Sequence, residues 1–176
     1  LRERVWVREA LNLNSMQGTV RLIRSVMAVT FSFELIGMAL SYIVFSKNYE
    51  PLSALGISAF HAIAAFNNSG FDILGGYQSL TAYKDNVLLN LTTCGLIIFG
   101  GLGFYVIREI WAKRSWRALS MNTKIVLCMT AVLLAGGTLL LKLTDNITWM
   151  GAFFQSTSAR TAGFATYPTG ALSTAG

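Results

Sequence analysis

Two short runs of small and polar residues carry the chemistry of this sequence: Phe66-Asn67-Asn68-Ser69-Gly70-Phe71 and Ser158-Ala159-Arg160-Thr161-Ala162-Gly163-Phe164. Each follows an apolar stretch long enough for a short helix. Glycine admits positive φ and a close approach of backbone to an ion, and the carbonyls beside it can replace water around a dehydrated cation. A helix ending at such a run aims the negative end of its dipole at the ion, so cations are favoured over anions. Taken singly, either glycine reads equally well as a turn residue in an exposed loop. Two such runs at matching places favour a shared ring of carbonyls.

The other ionisable residues form no convergent set. Glu34 lies near the middle of an apolar run, where a bare carboxylate is expensive, so it is expected to face protein and orient a neighbouring helix or to be protonated. Ion coordination by Glu34 is the least favoured reading. Arg160 adjoins the second polar run, where a permanent cation in the ion path would oppose cation entry, so its side chain is expected to point away and anchor the loop. His61, the single histidine, has no second ligand at metal spacing and reads as a packing residue. Cys94 and Cys128 sit inside apolar segments and read as small buried hydrophobes. Paired carboxylates, a nucleophile with its base and a metal set are not found, which argues against an enzyme. Asn67-Asn68-Ser69 and Asn146-Ile147-Thr148 fit the glycosylation acceptor pattern, yet the first falls within a candidate coordinating loop.

The elements that must hold these loops belong in lipid. The 176 residues are 53% hydrophobic and 12% charged, with a mean hydropathy of +0.53. The net charge of +6 is grouped at the ends of apolar runs, a pattern of membrane topology and not of nucleic-acid binding. Three stretches, Leu22 to Phe45, Val87 to Ile107 and Ile125 to Leu143, meet the roughly 20 residues that a bilayer crossing requires. Leu52 to Phe66 and Ile147 to Ala159 are too short and read as re-entrant segments. Arg2, Arg4, Arg8, Arg21 and Arg24 precede the first span, and Arg108, Lys113, Arg114, Arg117 and Lys124 fill the second connection, which places both regions in the cytoplasm. Trp111, Trp116, Tyr42, Tyr77, Tyr83 and Trp149 suit the interfacial belts. The order span, re-entrant segment, span then begins again. Aligning Gly70 with Gly163 sets an offset of 93 residues that also superposes Phe60 on Phe153. Gly95, Gly100, Gly101 and Gly103, with Gly136 and Gly137, are suited to close helix approach, with a hinge as the alternative. No signal peptide is evident, and the chain opens on Leu1 where a complete protein would begin with Met, so it reads as a piece of a longer protein.

Ala65-Phe66-Asn67-Asn68-Ser69-Gly70-Phe71 resembles the second-repeat filter of the Trk/Ktr/HKT potassium transporter superfamily, and Ser158 to Phe164 its third. Gly100-Gly101-Leu102-Gly103-Phe104 with Arg108-Glu109-Ile110 is similar to the end of that family's second-repeat exit helix. The resemblance is to the membrane pore subunit, nearest to the bacterial Ktr and Trk forms, and covers most of the chain. It implies an all-α transmembrane fold of four span, pore-loop, span modules, of which this chain supplies repeats two and three. The expected division is a cytoplasmic amphipathic connection over 1–21, a repeat-two module over 22–111, a basic cytoplasmic connection over 112–124 and a partial repeat-three module over 125–176. Potassium is then the implied ion. Its filter set is Asn67, Asn68, Ser69, Gly70, Arg160, Thr161, Ala162 and Gly163, with coordination by the backbone carbonyls of Asn67, Asn68, Thr161 and Ala162. The resemblance also implies potassium uptake in a multi-pass cell (inner or plasma) membrane protein, with sodium stimulation left open. It implies no cofactor in this chain and no nucleic-acid partner. A cytoplasmic nucleotide-binding regulatory subunit, membrane lipid and a second pore subunit, giving a homodimer, are the implied partners. The alternative is a non-conducting structural or assembly subunit.

Overall fold

The computed structural model describes residues 16–76, 78–168 and 170. The amphipathic stretch at the N-terminus with Arg2, Arg4 and Arg8, the Arg21 side chain and Tyr77 lie outside the described residues. The chain divides into two compact units, residues 1–33 and 34–176. Among the described residues all regular structure is helical.

The first long helix, α1, is Met16–Phe45, and its Leu22–Phe45 portion is apolar enough to cross a membrane, with a hydropathy of 1.7. In the first unit it exposes Ile23, Met27 and Phe31. The second unit begins with the rest of α1 and continues through α2 (Pro51–Phe66), α3 (Val87–Leu102), α4 (Phe104–Lys113), α5 (Met121–Thr144) and α6 (Trp149–Thr161).

Local signals set the starts of these helices. Proline opens α2, where its missing N–H costs nothing. Asn86, Ser120 and Thr148 cap α3, α5 and α6, each accepting from a backbone N–H three residues on, at 3.0, 3.3 and 3.1 Å. The second span departs from the expected continuous Val87 to Ile107. Gly103 stands at φ 82° and ψ 152°, a conformation that an L side chain resists. The helix therefore breaks there, and α4 leaves at 95° to α3.

The packing is that of a membrane protein. α3 lies against both α2 and α6, and α6 against α5. Gly100 seats the Phe66 carbonyl so closely that a Cβ would collide with it, and Ser156 Oγ, which donates to Leu134 O at 3.1 Å, fills the space over Gly137. Buried positions include Ser41, Ser58, His61, Asn90, Thr93, Thr157 and Ser158, whereas Leu35, Ile36, Val132, Leu133, Leu140 and Leu143 face outward. So broad an apolar exterior is stable only with lipid or further protein around it. Cys94 is buried as expected, but Cys128 is exposed on the outer face of α5. A thiol is apolar enough for that surface.

A candidate cation-coordinating site at the ends of two short helices

The first polar loop is wound tightly onto the end of α2. The N–H groups of Asn67, Asn68 and Ser69 return to the carbonyls of Ile63, Ala65 and Ala64 at 3.0, 3.2 and 2.9 Å, so the last turn closes on itself. Asn68 then takes φ 53° and Gly70 φ 72°. Asn67 Nδ2 donates to Glu34 Oε1 at 3.1 Å and to Ile63 O at 2.9 Å, joining α1 to the end of α2. Glu34 thus braces the loop through a side chain.

The second loop is built around Ser158. The N–H groups of Ala162 and Gly163 donate to Ser158 O at 2.8 and 3.2 Å, and Gly163 N also donates to Ser158 Oγ at 3.1 Å. That hydroxyl in turn donates to Phe164 O at 2.6 Å. Gly163 takes φ 101°. Beyond the two glycines the chains pair once more, with Leu80 N donating to Ala165 O at 3.0 Å and Ala165 N to Ser79 Oγ at 3.0 Å.

The two loops meet at equivalent positions. Gly70 packs against the Ala162 carbonyl closely enough to forbid a side chain, and a Cβ on Gly163 would stand 3.9 Å from Gly70 Cα. Asn68 and Thr161, which are 93 residues apart, touch at 3.2 Å. Turned so that every amide atom is satisfied, Asn68 donates to Ile97 O and Thr161 Oγ1 at 3.2 Å and accepts from Gly101 N at 3.3 Å. Ile97 O and Gly101 N are partners in a regular helical ladder, so the loop grips α3 one turn before its break. Asn67, Ser69, Thr161 and Gly163 are exposed, Asn68 and Gly70 half-buried and Ala162 buried.

Arg160 links the second loop to α5 and to α3. Its Nη1 donates to Thr130 Oγ1 on α5 at 3.1 Å, and its Nη2 lies against Gly101. His61 is buried in the wall behind the loops, with Nε2 at 2.8 Å from Thr93 Oγ1 and its ring edge-on to Phe45 and Phe164.

Several supporting residues are not singled out by sequence reasoning. Ser158, Ser79 and Thr130 are ordinary hydroxyl residues by type, and only the five-residue spacing from Ser158 to Gly163 offers a signal. Glu109 is a further case. Its carboxylate accepts from Lys113 Nζ at 2.5 Å, Ser120 N at 2.9 Å and Ser120 Oγ at 2.7 Å, and also from Thr123 Oγ1. These donors, Lys113 first, hold its pKa down at about 2. The node ties α4 to the first turn of α5.

Residues 3–148 match the sequence profile of the TrkH family, described as cation transport proteins. The chain belongs to the TrkH family. Among curated members of similar sequence, Ktr system potassium uptake protein B of Vibrio alginolyticus is 35% identical over 184 residues, covering 93% of this chain and 39% of that protein. The potassium/sodium uptake protein NtpJ of Enterococcus hirae is 34% identical, covering 92% of this chain and 38% of its own length. Ktr system potassium uptake protein B of Bacillus subtilis (strain 168) is likewise 34% identical, at 93% and 39%. The chain thus spans about two fifths of the length of these relatives. They are named for ion uptake and not for enzymatic turnover. The TrkH match contains the first polar loop and ends before the second.

Proposed function

We propose that this chain contributes two of the loops of a potassium-conducting filter in a larger membrane transporter. The observation that carries this reading is the contact between Gly70 and Gly163, each at positive φ and each just past the end of a short helix. A cation there would shed part of its water for the backbone carbonyls of Asn67, Asn68, Thr161 and Ala162. Asn67, Asn68 and Thr161 would hold the loops through their side chains, and Arg160 keeps its charge off the path by reaching to Thr130. The names of the TrkH relatives support potassium as the ion, and that of NtpJ supports sodium as a second ion or stimulant.

In the same reading the whole protein lies in the cell membrane, with 1–21 and 112–124 cytoplasmic. The Ktr system names support a transporter of several components. A nucleotide-binding regulatory subunit and a second pore subunit are the partners proposed.

The test is potassium and sodium uptake by the full-length protein in cells lacking other potassium uptake, comparing native, Gly70→Ser and Gly163→Ser forms. Growth at low potassium that both substitutions weaken, with sodium competing better, is the expected result. Rescue indifferent to both glycines at normal expression would remove these loops from the filter.

A further inference from the structure

The turn that joins α4 to α5 carries a surface that neither loop uses. Before it, the break at Gly103 turns α4 by 95° from the axis of α3. The end of α4, with Lys113 in its last turn and Arg114 as its cap, brings basic residues to the turn, as a segment reaching the headgroup layer does. Trp111 and Trp116 are 74% and 53% exposed there, which is unusual for indoles and suited to the headgroup layer. Between them a cavity of about 340 Å³ opens, lined by Trp111, Arg114, Trp116, Leu119 and Leu127 among others. Its lining is mainly apolar, with Arg114 as the charged residue in it.

The charge around it is one-sided. From Phe104 to Lys124 the sequence holds Arg108, Lys113, Arg114, Arg117 and Lys124 against Glu109 alone. Glu109 is already spent on Lys113, Ser120 and Thr123. Arg114 stands in the left-handed conformation, φ 46°, where it ends α4. An arginine is a costly choice for that backbone, where glycine or asparagine is usual.

We propose that this cavity binds an anionic phospholipid, its phosphate held by Arg114 and the start of an acyl chain laid between Trp111 and Trp116. Charge complementarity and position select this occupant. The turn joins two elements of the apolar layer and therefore borders the bilayer, where anionic headgroups meet basic side chains at about 1 kcal/mol each. The inference does not depend on which ion passes the loops.

The experiment uses the full-length protein purified in detergent. Native mass spectrometry after titration with phosphatidylglycerol or phosphatidylcholine compares the native form with Arg114→Asn, which keeps a residue tolerant of positive φ while removing the charge, and with Lys47→Gln as a distant control. Retention of phosphatidylglycerol over phosphatidylcholine is expected, weakened roughly fivefold by Arg114→Asn and unchanged by Lys47→Gln. Equal retention of the two lipids, or no effect of Arg114→Asn, would overturn the proposal. Quenching by brominated-chain phosphatidylglycerol gives a second reading on the native fold. The Trp116→Phe form should lose part of that quenching. An undiminished signal would show that a protein segment, and not lipid, covers the cavity.

Discussion

At the residue scale, the two loop glycines are not equivalent although both take positive φ. A methyl group on Gly70 meets the Ala162 carbonyl, whereas one on Gly163 finds ordinary contact distance to Gly70. Gly70→Ala is therefore expected to damage potassium uptake and potassium-over-sodium preference more than Gly163→Ala, as tracer uptake in the full-length protein would measure. Equal damage would mean that the backbone conformation alone limits both sites. Glu34 makes a second case. Its carboxylate takes a hydrogen bond from Asn67, so Glu34→Gln should stay close to native, because an amide oxygen still accepts, while Glu34→Leu should cost about 0.5–1.5 kcal/mol of stability. Thermal unfolding in detergent separates these outcomes. The sequence placed Asn67, Asn68 and the two glycines in polar loops, since glycine beside small polar residues is visible by type. It left Glu34 with three readings, because nothing in linear order says that a residue 33 positions upstream of Asn67 lies beside it.

At the element scale, helix starts and apolar runs were legible and the break in the second span was not. Val87 to Ile107 holds no charged residue and reads as one span, and glycines within it are compatible with either packing or bending. What decides is Gly103 at φ 82°, together with Asn68 gripping the preceding turn from another element. Gly103→Ala would place an L side chain in that conformation at a cost of about 1–2 kcal/mol. It is expected to straighten α3 and α4, which a longer distance between spin labels on Asn86 and Ala112 would report. The Glu109 node is also tertiary in origin. Its folded pKa of about 2 lies below the ordinary carboxylate value of about 4.3. Its contribution to stability is thus complete above the unfolded value and is lost as pH falls through the folded one. The stability difference between native and Glu109→Gln should be constant near neutrality, shrink below about pH 4.5 and vanish near pH 2. A difference that already fades between pH 7 and 5 would rule out this carboxylate as the cause.

At the scale of the whole molecule, the 93-residue offset and the pairing of two loops were legible from one glycine alignment, but the side chains that join the loops were not. The structure puts Asn68 and Thr161, partners under that offset, in contact with each other. The bend at Gly103 has a further effect on the host membrane. At 1.5 Å per residue the 16 residues of α3 reach about 24 Å, while the 24 of α5 reach about 36 Å. The hydrocarbon layer is about 30 Å deep. Alone, α3 falls short of that depth while α5 exceeds it, so the second crossing is completed only by residues beyond Gly103. The bend thus leaves α4 to carry the chain through the remaining depth, and acyl-chain length becomes a variable that sets how far it must descend.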